Sequence, residues 1–341
     1  MFGKSLTRCV PIVLSIGLVF GTGVGIGAGS SAMAADLAKP GGFPKRSVTM
    51  IVPFGPGGGS DQMARALGAQ MEKAMGVSFR YVNKSGAGGM AALPDFAVAP
   101  ADGYTILQHH DAIVTGLAAG KHSLKIGTDI VPICIAQADF SQLFINGGDK
   151  RFSDWKSLVA HAKKTGNTLK VAASSGQGSH EHTTVTQVSR GAGIKMTVVP
   201  FGDPGERISA ILGGHVDLYY EQPGDAASYV KQGKLKPVLS ILKKAPKAFA
   251  DTPALTDVGL DFEPTVKFRG LWIRGSVPKE RRDYFEKACK IAWNTEPFQA
   301  YLKKKFTHII SEFRGTENAL ELTKTMHATY SGIFKELGII K

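Results

Sequence analysis

Residues 47–65, SVTMIVPFGPGGGSDQMAR, constrain the chain more than any other stretch. An apolar run with the length of a strand meets four glycines within five positions, and a helical pattern begins at once. In an open α/β sheet such a loop leaves the carboxyl end of a strand, where ligands bind. Its backbone N–H groups lie at the positive end of the following helix and suit a small anion. A second junction of the same build, LKVAASSGQGSHEH, spans 169–182. One glycine-rich turn is commonly no more than a turn. Two of them, each opening a helix in its own α/β series, point to two lobes that close on one carboxylated ligand.

The remainder of the chain agrees. Met63, Leu67, Met71 and Met75 recur at a helical interval, and Gly76 ends the run. Strands are expected at 47–54, 77–82 and 104–107, with helices between them, so the sheet is expected to be parallel. Two extended runs follow within 130–145. A second α/β series occupies 169–242, and 270–274 returns to a strand before helices at 279–294 and 316–337. The fold class is α/β with two lobes, each a sheet flanked by helices. The order implies a discontinuous first lobe, 35–138 plus 262–341, with 139–261 inserted as the second.

The N-terminus reads as a targeting segment. Lys4 and Arg8 precede an apolar core at 10–20, and Ala32-Met33-Ala34 forms a small-x-small cleavage site, so 1–34 is expected to be removed on export to the periplasm. A retained anchor is the alternative, weakened by the glycines of the run. Losing Lys4 and Arg8 takes the formal charge from +13 to +11. No Lys/Arg block interleaved with aromatics accompanies that charge, so a solvated basic surface is expected and nucleic acid is not a partner. Cys134 and Cys289 remain; a disulfide and two buried free thiols both fit an oxidising compartment.

The ligand-binding candidates follow from the strand-end loops. They are Phe54, Gly57, Gly58, Gly59, Ser60 and Asp61 in the first junction, and Ser174, Ser175, Gly176, Gly178 and Ser179 in the second. His109 and Asp111 come from the loop between the two junctions, and Phe201, Asp203 and Glu221 from strand-end loops after the second. Apart from Lys84 these loops contain no Lys or Arg, so an anion is expected to be held by N–H groups, hydroxyls and helix ends, without an arginine fork. Asp61 would repel that anion; it reads as an organiser of its loop, or as an acceptor for a ligand hydroxyl or ammonium. GPGGGSDQ lacks the Lys-Ser/Thr of a phosphate loop, and Asn83 stands where a dinucleotide fold needs an acid. SSGQG does not fit the nucleophile elbow. Two alternatives stay open: a secreted hydrolase pairing Ser175 with His180 or His182, and a metal-binding receptor using His109, His110 and His180. No cofactor or metal is expected.

The chain resembles the periplasmic substrate-binding receptors of tripartite tricarboxylate transporters, the Bug receptors. The marks are Phe43-Pro44 with Arg46, IVPFGPGGGSD at 51–61, VNKSGAGG at 82–89, ADGYTIL at 101–107, SSGQGSHEH at 174–182, LGGHVD at 212–217 and FRG at 268–270. The resemblance implies a type II, Venus-flytrap binding protein and no enzymatic activity. It implies a small mono-, di- or tricarboxylate ligand, delivery to the membrane components of such a transporter, and a monomer. It places the ligand carboxylate between the PGGGSD and SSGQGS loops, partly through water, and gives His182 a supporting role. Phe268 stands where the family usually has Trp, and 200–206 departs from its Pro-Tyr-Lys-Gly pattern.

Overall fold

The computed structural model describes residues 37–341 except 263, 265, 266, 337 and 341; the expected export segment, 1–34, lies outside the described residues. In chain order, β1 (Val48–Val52), β2 (Phe79–Asn83), β3 (Thr105–His110) and β4 (Ile130–Asp139) belong to one sheet. The strands β5 (Gln142–Asn146), β6 (Leu169–Ala173), β7 (Met196–Pro200), β8 (Leu218–Glu221) and β9 (Leu235–Ser240) form a second. Finally β10 (Lys267–Arg274) and β11 (Arg314–Gly315) return to the first. The sheet orders are β11-β4-β10-β3-β1-β2 and β7-β6-β8-β5-β9.

Neither sheet is purely parallel, as the sequence had suggested. β1 pairs in parallel with β2 and β3, and β6 with β7 and β8. β10 is antiparallel to β3 and β4, and β5 is antiparallel to β8 and β9. The physical reason lies in the crossings. The chain passes from β4 directly into β5 and comes back through β10, so β5 and β10 each enter their sheet from the opposite lobe and run against its βαβ units.

Among the described residues ten α-helices cover the sheets: α1 (Gly59–Met75), α2 (Leu93–Val98), α3 (Ala112–Ala118), α4 (Trp155–Thr165), α5 (His180–Ala192), α6 (Pro204–Leu212), α7 (Pro223–Lys231), α8 (Lys279–Trp293), α9 (Glu296–Lys304) and α10 (Thr316–Glu336). The methionine stripe of α1 packs with Val48, Met50 and Val52 of β1 and with Phe285 and Ala288 of α8. Full burial of side chains of this size is worth roughly 1.5–3 kcal/mol each. Gly76 ends α1 in the left-handed conformation (φ 65°), its N–H donating to Glu72 O. On the other face Ile51, Leu107, Phe268 and Trp272 meet Ile113, Val114 and Leu117 of α3. The second lobe is built likewise, with Leu143, Val171 and Leu218 against Leu158 of α4 and Val185 and Val188 of α5.

The sequence did not reveal α3 or α9. Every residue of α3 is buried, so no polar face marks its period. Cys134 of β4 and Cys289 of α8 form a disulfide, which settles the open choice between bond and free thiols. Among the described residues no helix is long and apolar enough to cross a membrane.

Candidate functional site

The first junction is built around its own carboxylate. Asp61 lies in the first turn of α1 and accepts from Gly57 N–H (3.0 Å), Asn83 Nδ2 (3.0 Å) and Arg65 Nε (3.0 Å). Burial acts to raise its pKa, but Arg65, Gly57 N–H and Asn83 together hold it below the ordinary carboxylate range. All three donors come from the chain, so Asp61 organises the loop. Gly57 needs its positive φ of 76° to make this turn.

The second junction is capped. Ser179 Oγ accepts from His182 N–H (3.1 Å) at the start of α5. Ser174 Oγ donates to Glu181 Oε1 (2.5 Å). Gly178 (φ 72°) packs near Ala119 of the first lobe, and Gly88 packs near Ser175. Asp203 caps α6 by accepting from Gly205 and Glu206 N–H. Its loop faces the first junction, with Pro204 against Gly58 and Asp203 against Gly55.

Between the two lobes lies a cavity of about 20 Å³ walled by Phe54, Gly58, Gly59, Ser60, His110 and Ser174, by Tyr220 and Glu221, and by the cations Arg207, Lys267 and Arg269. A pocket of about 240 Å³ adjoins it past Gly57, Gly59, Pro204 and Asp225. The inner cavity has room for roughly one water molecule. A carboxylate larger than that enters only when the lobes part or the wall rearranges.

The structure therefore brings Phe54, Gly58, Gly59, Ser60, Ser174 and Glu221 to the cavity, and Gly57 to the adjoining pocket. Asp61, Ser179 and Asp203 hold their loops from behind. Ser175 Oγ is buried and has no hydrogen-bond partner among the described residues. Gly176 packs on Pro200. Phe201 donates its N–H to Ala173 O and accepts from Arg207 Nη1 (2.9 Å) through its carbonyl. His109 is turned under the 83–89 loop, with Nε2 3.3 Å from Gly89 O. Its neighbour His110 reaches the cavity instead, stacked on Phe54 at 4.4 Å. Both histidines belong to β3, which runs three residues beyond its expected end. Asp111 is fully buried, with Oδ1 3.2 Å from His110 Nδ1 and Oδ2 3.8 Å from His180 Nδ1 across the cleft. His180 Nε2 meets Tyr220 OH at 3.0 Å.

The cavity wall also carries cations from outside the strand-end loops. Arg207 comes from α6 and bonds Glu221 Oε2 (3.0 Å), which also accepts from Tyr219 OH (3.1 Å). Lys267 and Arg269 come from β10. Lys267 pairs with Glu181 (3.0 Å), and Arg269 pairs with Asp139 and contacts Gln222 Oε1 at 3.4 Å. The strand expected at 270–274 begins three residues earlier, at Lys267, which adds its charged start. The signal was there: Lys-x-Arg at the head of an apolar strand puts two cations on one face. Arg207 had no comparable signal, because a basic residue in a helix is ordinarily solvated.

Burial lowers the pKa of His109 to about 4, and it lowers those of His110 and His180 as well. All three are neutral in the folded protein at neutral pH, whereas in an unfolded chain they would take up protons near pH 6.5. A pKa depressed on folding leaves stability complete above about 6.5 and removes it as pH falls. The unfolding free energy, and with it the urea midpoint, is expected to fall from pH 6.5 towards pH 4, by up to about 1.4 kcal/mol per pH unit from His109, with His110 and His180 acting in the same direction. A midpoint unchanged between pH 7 and pH 5 would show that these imidazoles are already hydrated.

Among the described residues no hydrogen bond joins Ser175 to His180 or His182: Ser175 Oγ has no partner there, and His180 Nε2 faces Tyr220 OH. Among the described residues no three His, Cys, Asp or Glu side chains converge as for a metal.

Two α/β lobes joined by crossing strands, with a cavity walled by glycine-rich junctions from both, form the two-lobed fold of periplasmic binding proteins. The chain belongs to the tripartite tricarboxylate transporter receptor family, whose pattern matches residues 63–310. It is 26% identical over 263 residues to protein BugT of Bordetella pertussis, covering 75% of this chain and 79% of BugT. Among solved structures, MatC of Rhodopseudomonas palustris with bound malate superposes with a TM-score of 0.76 at 23% identity, covering 85% of this chain and 99% of that one. The periplasmic binding protein BugD gives a TM-score of 0.77 at 23% identity, covering 87% and 99%.

Proposed function

We propose that this receptor captures a small carboxylate between its lobes after export to the periplasm, and hands it to the membrane components of a tripartite transporter. The moving bodies are 35–138 plus 262–341 and 139–261, and the receptor works as a monomer without enzymatic activity. The observation that carries this reading is the inter-lobe cavity. Gly58, Gly59, Ser60 and Ser174 line it together with three buried cations, Arg207, Lys267 and Arg269, drawn from both lobes. A ligand touching both walls gains its full set of contacts only in the closed form, so binding shifts the population towards closure. The malate bound by MatC fits this class of ligand.

The test is a thermal-shift screen over aliphatic and aromatic mono-, di- and tricarboxylates. At a hundred times its Kd a ligand adds about 2.7 kcal/mol to stability, enough to move the melting temperature by several degrees. A melting temperature indifferent to every acid, with no small molecule retained in native mass spectrometry, would refute the assignment.

A further inference from the structure

We propose that Lys267 is a specificity-determining cation of the cleft, shared between Glu181 and a bound ligand, so that this receptor reads its ligand by direct ion pairing and favours a doubly charged acid. The inference rests on the carboxylate-receptor reading above and adds how the charge is recognised.

The placement of the donors carries it. Lys267 and Arg269 alternate with Phe268 on β10; both cations line the cavity, while Phe268 turns into the apolar core on the other face. Arg207 lines the same cavity from the second lobe. All three side chains are less than one-tenth exposed. Each is anchored by a carboxylate of the chain, yet none has spent its donors. An ammonium carries three N–H groups, and one Lys267 contact is the 3.0 Å bond to Glu181. The Nε atoms of Arg207 and Arg269 are buried without a hydrogen-bond partner among the described residues.

The acids are placed differently from the cations. Among the described residues Glu221 is the one carboxylate that lines the cavity, whereas Glu181 and Asp139 are buried away from its wall. A ligand therefore meets three positive groups and one negative group at the surface it touches. Glu181 sits in the first turn of α5 and takes a bond from Ser174 as well. It occupies the kind of position where a helix start favours an anion, and it competes with a ligand for Lys267. Burial acts to raise the Glu181 carboxyl, but Lys267 pulls it down to about 2, so the competitor stays charged.

The experiment is calorimetry with α,ω-dicarboxylates of three to six carbons and their monoamides. For the wild type, the best-bound dicarboxylate is expected to bind at least tenfold tighter than its monoamide. The double variant Glu181→Gln/Lys267→Met exchanges a buried ion pair for a neutral pair of similar size, which proteins tolerate better than loss of one partner. It should bring the two affinities within threefold. A double variant that keeps the wild-type ratio overturns the proposal. Should that variant not fold, Glu181→Gln alone decides: freeing Lys267 should tighten dicarboxylate binding severalfold, and unchanged or weaker binding overturns it. A wild type that binds acid and monoamide equally defeats this inference and leaves the receptor reading standing. A wild type that binds no carboxylate defeats both.

Discussion

Replacing Cys134 and Cys289 together by alanine lowers the unfolding free energy by about 5 kcal/mol in the chain-entropy account of a cross-link. The bond joins β4, beside the edge strand β11 of the first sheet, to α8 on its face, and closes a loop with a sequence separation of 155 residues. Closing so long a loop removes much freedom from the unfolded chain and little from the folded one. Both cysteines are fully buried among Met50, Ala136, Phe285 and Ala288, so packing holds the helix to the sheet in the variant as well. Folded spectra should be retained while the guanidinium midpoint drops. Alanine is the replacement of choice, because a serine hydroxyl would be buried there without a partner. A loss below about 1 kcal/mol would mean that the unfolded chain stays compact enough for the cross-link to remove little freedom.

Gly59→Ala is expected to cripple ligand capture without harming its own helix. Gly59 is the first residue of α1, and its φ is not positive, so alanine suits the backbone. A Cβ there would lie 2.5 Å from Arg269 Nη2 and 2.6 Å from Asp225 Oδ2. Neither group can yield freely. Arg269 is held by Asp139, and Asp225 by Lys305 (2.6 Å) and Gln222 (2.5 Å). Asp225 and Gly59 belong to different lobes, so the least costly relief is incomplete closure. Overpacking of this kind costs about 1–3 kcal/mol, or roughly 5- to 150-fold in affinity. Calorimetry with the best acid from the thermal-shift screen measures the loss. Small-angle scattering of the liganded variant should show a larger radius of gyration than the liganded wild type. Wild-type affinity in Gly59→Ala would show that Arg269 and Asp225 move aside together.

The contrast between the two glycine junctions shows how much of the site was legible. Both were visible in the sequence because strand, turn and helix start are written in local periodicity and turn chemistry. Their expected chemistry was partly displaced. Asp61 and Glu181 already place carboxylates of the chain at the two helix starts, and Ser179 spends its hydroxyl on a cap. His109 and His110 looked equivalent as adjacent loop residues. Extending β3 by three residues separated them, one under Gly89 and the other against Phe54.

The sequence alone determined the alternation of strands and helices and the two glycine-rich strand ends in successive series. These follow from patterns within a few residues of one another, which local sterics and burial impose wherever the chain lies. Only the tertiary structure decided which side chains meet in the cleft. Lys267 finds Glu181 across 86 residues, and Cys134 finds Cys289 across 155. No local period encodes such partners. They are selected because a charge or thiol buried by the closing of two lobes and the packing of a helix takes whatever complementary group the topology brings within reach.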